Sequence, residues 1–176
     1  EDLRIQADEL LEQGNIEEAE ALYDKALKLY SDALRIYNQI GHFKGIIISH
    51  INIAKVFRQQ GNFERARKIL EYPLQLAEEQ QLILLQVDAS RELGNVFGEE
   101  SNFTASLQYY NQSLETVQKI GDRFREEGLL GNIGLTYQHL GQHNKAIEYF
   151  EQALLISQQI GNKNQEGVNR SNIGLV

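Results

Sequence analysis

Few side chains in this sequence have the type and spacing to do chemistry. His139 and His143 stand four apart, a spacing that on one continuous helix would offer two imidazoles to a metal. Gly141 falls between them in a turn, so the pair is not read as a metal site. The carboxylate doublets Glu17-Glu18, Glu78-Glu79 and Glu126-Glu127 lie beside expected helix ends or on polar faces and are read as solvated surface, not as acid–base pairs. Gly128, Gly131 and Gly134 look superficially like a phosphate loop, but they recur every three residues inside a helical pattern with no strand before them. There is no cysteine, which excludes disulfides, thiolate zinc sites, iron–sulfur clusters and cysteine nucleophiles. The expectation is a protein without catalysis, cofactor or metal.

Binding chemistry is better represented. Asn52, Asn132 and Asn172, joined by Asn95, each offer a donor and an acceptor to a peptide backbone. One such bond contributes about 0.5–1.5 kcal/mol net, so useful affinity needs several acting together. Lys55, Arg58 and Arg91 would add specificity, as would a bare recess at Gly128 and Gly131. These two glycines each cost a helix about 1 kcal/mol relative to alanine.

The elements that must position these residues follow from a 40-residue period. Ile40-Gly41, Ile120-Gly121 and Ile160-Gly161 fall on one grid, with Gln80-Gln81 at its vacant node. Gly61-Asn62-Phe63, Ser101-Asn102-Phe103 and Gly141-Gln142-His143 form a second, and Asn52-Ile53-Ala54, Glu92-Leu93-Gly94, Asn132-Ile133-Gly134 and Asn172-Ile173-Gly174 a third. Between turns, apolar residues recur at three and four, as in Ala146, Tyr149, Phe150, Ala153 and Leu154. Helices are expected at 3–13, 15–40, 43–60, 62–80, 83–99, 102–120, 123–140, 142–160 and 163–176.

Asn132, Gly134, Tyr137, Leu140-Gly141, Ala146, Phe150 and Ala153 carry a resemblance to the tetratricopeptide repeat family. The 40-residue spacing is similar to the longer-linker branch that includes kinesin light chains and many bacterial signalling proteins. The resemblance implies an all-α fold, a right-handed superhelical α-solenoid of antiparallel helix pairs, in which Gly134 and Ala146 are small so that the helices cross closely and Tyr137 fills the space beside them. The chain is read as one array over 1–176, with units 1–40, 41–80, 81–120 and 121–160 and a partial unit 161–176. Gly14 lies 47 residues before Gly61, so the first unit is expected to carry a seven-residue duplication, Tyr23–Leu29 then Tyr30–Ile36, that extends its second helix over 15–40. Pro73, where other units have Ser113 and Ala153, is expected to kink its helix near Ile69.

Two residues before Gly134, Asn132 points away from its partner helix and towards the concave groove. Its face in each unit holds Ile48, Asn52, Lys55 and Gln59; Asp88, Glu92, Asn95 and Glu99; Gly128, Asn132, Leu135 and His139; and Val168, Asn172 and Leu175. Family members that grip a chaperone's C-terminal carboxylate use basic residues and asparagines on three repeats. Arg91, Asn95 and Asn132 match half of that set, but Val168 and Asn172 stand where the second basic pair is required.

The functional expectation is a protein–protein interaction scaffold that binds a peptide segment of a partner in the groove. The alternative is a sensor module whose change of curvature controls an effector domain of a longer chain. A formal charge of −8 with dispersed basic residues argues against nucleic acid. The apolar runs are far shorter than the roughly 20 residues that span a bilayer, and the chain opens Glu1-Asp2-Leu3 without a leader, so the expected setting is cytoplasmic. The lack of methionine and a C-terminus inside a helical pattern point to a fragment of a longer protein. Self-association is expected through the truncated last helix or the extended helix 15–40.

Overall fold

The computed structural model describes all residues, Glu1–Val176, and contains nine α-helices and no strand. They are α1 (Asp2–Ala19), α2 (Tyr23–Ile40), α3 (Phe43–Gln59), α4 (Phe63–Glu79), α5 (Ile83–Glu99), α6 (Phe103–Ile120), α7 (Arg123–His139), α8 (His143–Gln159) and α9 (Lys163–Leu175). No helix is long and apolar enough to cross a membrane. The chain divides into two compact units, Glu1–Val96 and Phe97–Val176.

The turns carry the regularity. Every positive-φ residue of the protein occupies one of eight nodes spaced 20 apart: Ala21, Gly41, Gly61, Gln81, Ser101, Gly121, Gly141 and Gly161. A left-handed residue there stops one helix and lets the next begin two residues later. At Gly61, for example, its own N–H bonds to the Arg58 carbonyl and the next N–H, of Asn62, to that of Phe57. The following helix is then capped by a side chain: Asn62 accepts from the Arg65 amide, Asn102 from Ala105, Asp122 from Arg125 and Asn162 from Gln165. Partial burial opposes the Asp122 charge, but the Arg125 amide and guanidinium bonds prevail and hold its carboxyl below the ordinary range.

In the first unit, α1 packs on α2, α2 on α3 and α3 on α4. The expected helix over 15–40 does not exist. α1 runs through Gly14 to Ala19, the turn is Glu20-Ala21-Leu22, and α2 starts at Tyr23. Gly14 is no turn residue: it belongs to the close-crossing series with Ala54 and Gly94, and a Cβ on it would lie 2.5 Å from the Tyr30 ring. The turn node 40 residues before Gly61 is held instead by Ala21 at φ 58°. Both helices are 18 residues long, so there is no inserted heptad and no overhang, and self-association through helix 15–40 loses its basis.

The Tyr30 hydroxyl proton lies between Asn15 Oδ1 (2.9 Å) and Glu18 Oε2 (2.7 Å), and Tyr37 donates to Asp8. Burial first, then the neighbouring carboxylate, pushes both phenols well above their ordinary value of 10.0. Pro73 is buried within α4, which runs uninterrupted from Phe63 to Glu79 and matches α3 and α5 at 17 residues.

In the second unit, α6 packs on α7, α7 on α8 and α8 on α9 around Leu129, Leu130, Ile133, Ala146, Phe150 and Ala153. The ring that fills the space over Gly134 is that of Phe150, not Tyr137: a Cβ on Gly134 would lie 2.6 Å from Phe150 Cε1. Tyr137 stacks on Tyr149 instead, with centroids 5.4 Å apart. Glu126 and Glu127 are not solvated surface; both are buried on α7.

Candidate binding face on the first helix of each repeat

In the first unit the candidate residues lie on α3 and α5, and the fold draws them into three small polar groups. Asn52, only 6% exposed, donates from Nδ2 to Asn15 Oδ1 at 3.2 Å, and Lys55 Nζ lies 3.5 Å from its Oδ1. Its amide is turned to a neighbouring helix rather than displayed. Arg58 Nε donates to Glu92 Oε1 at 2.6 Å, while Asn95 Nδ2 donates to Glu92 Oε2 at 2.8 Å. Arg91 leans towards Asp88 at 3.6 Å, and its buried Nε has no acceptor. The hub of this face is Glu92, which the sequence places on the groove face without assigning it a binding role. Its link to Asn95 follows the i, i+3 spacing, whereas its link to Arg58 spans 34 residues and needs the fold.

In the second unit the face is formed by α7, with α9 beside it. Gly128, Gly131 and Asn132 are half-buried, Leu135 and His139 are exposed, and Asn172 on α9 is half-buried. The His139 ring stacks on Phe103, centroids 5.8 Å apart and nearly parallel at 4°. The glycines divide sharply by surroundings. Gly134 is pressed against Phe150, but a Cβ on Gly128 would meet nothing within 4 Å, and one on Gly131 only Asn169 Oδ1 at 3.9 Å. Packing therefore gives no reason for glycine at either position.

Beneath this strip, Asn169 Nδ2 donates to Glu127 Oε1 at 2.7 Å, a pair that sequence reasoning missed because the Glu126-Glu127 doublet looks like surface. Glu126 accepts from Arg123 at 2.6 Å and from Gln118 at 3.1 Å. Glu166 on α9 is bonded by Lys163 and flanked by Arg170, which hold its carboxyl below the ordinary range. No group of this face pairs a nucleophile with a base. What it can do is hydrogen-bond and accommodate a chain.

A sequence-family model described as tetratricopeptide repeat matches residues 6–79, 85–154 and 125–176. The chain belongs to the tetratricopeptide repeat family. Tetratricopeptide repeats are in general non-catalytic scaffolds for protein partners. No curated protein matches this tetratricopeptide repeat chain.

Solved structures share the fold. Aspartyl phosphate phosphatase F from Bacillus subtilis matches with a TM-score of 0.87 at 15% identity, over 97% of this chain and 45% of that one. The apo form of RapI matches at 0.84 and 16%, over 97% and 62%. A signal transduction ATPase with numerous domains from Pyrococcus horikoshii, with a tetratricopeptide repeat sensor, matches at 0.81 and 24%, over 93% and 25%. This chain thus spans less than two thirds of each, and at these identities the likeness is one of helical-repeat fold.

Proposed function

We propose that this tetratricopeptide repeat chain is a protein-interaction scaffold that takes up a peptide segment of a partner along its first-helix faces. The observation that carries this reading is the pair Gly128 and Gly131. Each weakens α7 by about 1 kcal/mol relative to alanine, yet neither is required by packing. A bare backbone strip flanked by Asn132, Leu135 and His139 gives an incoming chain close approach, amide hydrogen bonds and an apolar contact. Lys55, Arg58, Arg91 and Asn95 form the corresponding polar face of the first unit, with Asn52 set behind it.

The test begins with a random-peptide display library panned on the protein, followed by calorimetry with the enriched peptide. Asn132→Ala, on the face of the second unit, should weaken binding about fivefold, as expected for one net hydrogen bond, with helicity unchanged. Equal affinity of the variant would remove this face from the binding surface.

A second reading draws on the Pyrococcus horikoshii neighbour, whose repeats are described as a sensor within a multidomain ATPase. On that reading peptide uptake alters repeat curvature and so controls an effector domain of a longer protein. An effector domain encoded in the same reading frame would favour it over a free-standing scaffold.

A further inference from the structure

Four glutamates are buried in this protein: Glu92, Glu126, Glu127 and Glu166. Three are neutralised by a base, Glu92 by Arg58 at 2.6 Å, Glu126 by Arg123 at 2.6 Å, and Glu166 by Lys163 at 2.9 Å and Arg170 at 2.6 Å. Glu127 is the exception. At 2% exposure it has no basic partner and accepts one hydrogen bond, from the neutral amide of Asn169, itself 1% exposed. A carboxylate taken out of water and met only by an amide lacks the counter-charge that such burial ordinarily requires.

The repeat supplies no packing reason for an acid here. The residues 40, 80 and 120 positions earlier are Val87, Ile47 and Ala7, all buried and apolar. Asn169 likewise stands where Leu129 and Ala89 are buried in the two preceding repeats, with Ser49 buried at that position in the one before them. Two neighbouring helices have thus exchanged apolar core residues for a polar pair at one place in the array. That place adjoins the glycine strip: Asn169 Oδ1 receives no hydrogen bond and lies 3.9 Å from the site of a Cβ on Gly131. A Cβ on Gly128, next to Glu127 in the chain, or on Gly167, two residues before Asn169, would meet nothing within 4 Å.

We infer that Glu127 and Asn169 form the receptor for one basic side chain, lysine or arginine, of the bound peptide. Its N–H groups donate to the second Glu127 carboxylate oxygen and to Asn169 Oδ1, and the glycine strip admits the aliphatic stem. The formal charge of −8 attracts such a peptide from a distance. This assignment rests on the reading of the first-helix face as a peptide-binding surface and adds the chemistry of one residue of the ligand.

Glu127→Gln keeps the shape and the acceptor for Asn169 while removing the charge. A random-peptide display library panned on the wild type should enrich lysine or arginine at one register position. The variant should still enrich peptides but lose that preference, and the best wild-type peptide should lose about tenfold in affinity, the value of a charge-assisted bond. The same peptide with methionine at the basic position should bind both proteins alike. The urea midpoint of Glu127→Gln should equal or exceed that of the wild type, since an uncompensated charge has been removed. A lower midpoint would assign the carboxylate to the fold and overturn the inference. An unchanged basic preference in the variant would overturn it and leave the binding face standing, whereas failure of either protein to enrich any peptide would overturn both.

Discussion

Glycine has three meanings in this chain, and the side chains around each decide which applies. At Gly14, Gly45 and Gly134 an aromatic ring of the following or preceding helix, from Tyr30, Tyr37 and Phe150 respectively, occupies the space a Cβ would need. At Gly41, Gly61, Gly121, Gly141 and Gly161 the backbone is left-handed. At Gly128 and Gly131 neither reason holds. Gly134→Ala is therefore expected to lower stability by about 1–3 kcal/mol in urea unfolding, because the new methyl overlaps a ring locked in the core. An unchanged midpoint would mean that the helix pair crosses less closely than the structure shows. The crossing role of Gly134 was legible in sequence because its neighbours Asn132 and Ile133 repeat 40 residues apart. The same role at Gly14 was not: its context, Gln13-Gly14-Asn15, looks like a helix stop. Glu127 was also hidden, since an acidic doublet is usually solvated, and its partner Asn169 lies 42 residues away.

At the level of the helix and its turn, the fold depends on a left-handed residue every 20 positions, and three of the eight nodes are not glycine. Ala21, Gln81 and Ser101 hold φ of 58°, 54° and 62° at a cost of roughly 1–2 kcal/mol each. Ala21→Gly should relieve that strain, offset in part by the larger entropy of glycine in the unfolded chain, for a net gain of about 1 kcal/mol in chemical denaturation. A loss of stability would show that the alanine methyl makes a contact the turn needs. Five of the eight turns announce themselves by glycine and the 40-residue period supplies those at Gln81 and Ser101, which is why α3 to α9 could be located within a residue or two from sequence. The α1–α2 turn carries alanine, a residue with no turn signal, and Gly14 seven residues earlier supplied a false one; the supposed heptad insertion came from that exchange. Pro73, expected from its missing N–H to bend its helix, lies inside a continuous α4, with the ring buried where Ala33 and Ala153 are buried in other repeats.

For the molecule as a whole, membership of the tetratricopeptide repeat family follows from a period that recurs over nearly the entire chain, and each compact unit is built from the same alternation of first and second helices. The family was legible because the signal is repeated four times. The binding faces were legible only as positions on a wheel. Which amides are displayed, and which are absorbed, depends on partners one repeat away: Asn52 is taken up by Asn15, and Asn95 and Arg58 converge on Glu92. If the first-helix face exists to hold a peptide, the chain has given up folding stability there for access, and the two properties must move in opposite directions. Gly128→Ala combined with Gly131→Ala, followed by urea unfolding and by titration with a display-selected peptide, measures both at once. The account predicts a protein more stable by about 2 kcal/mol that binds the peptide at least tenfold more weakly. A variant that gains stability and binds as well as the wild type would contradict it.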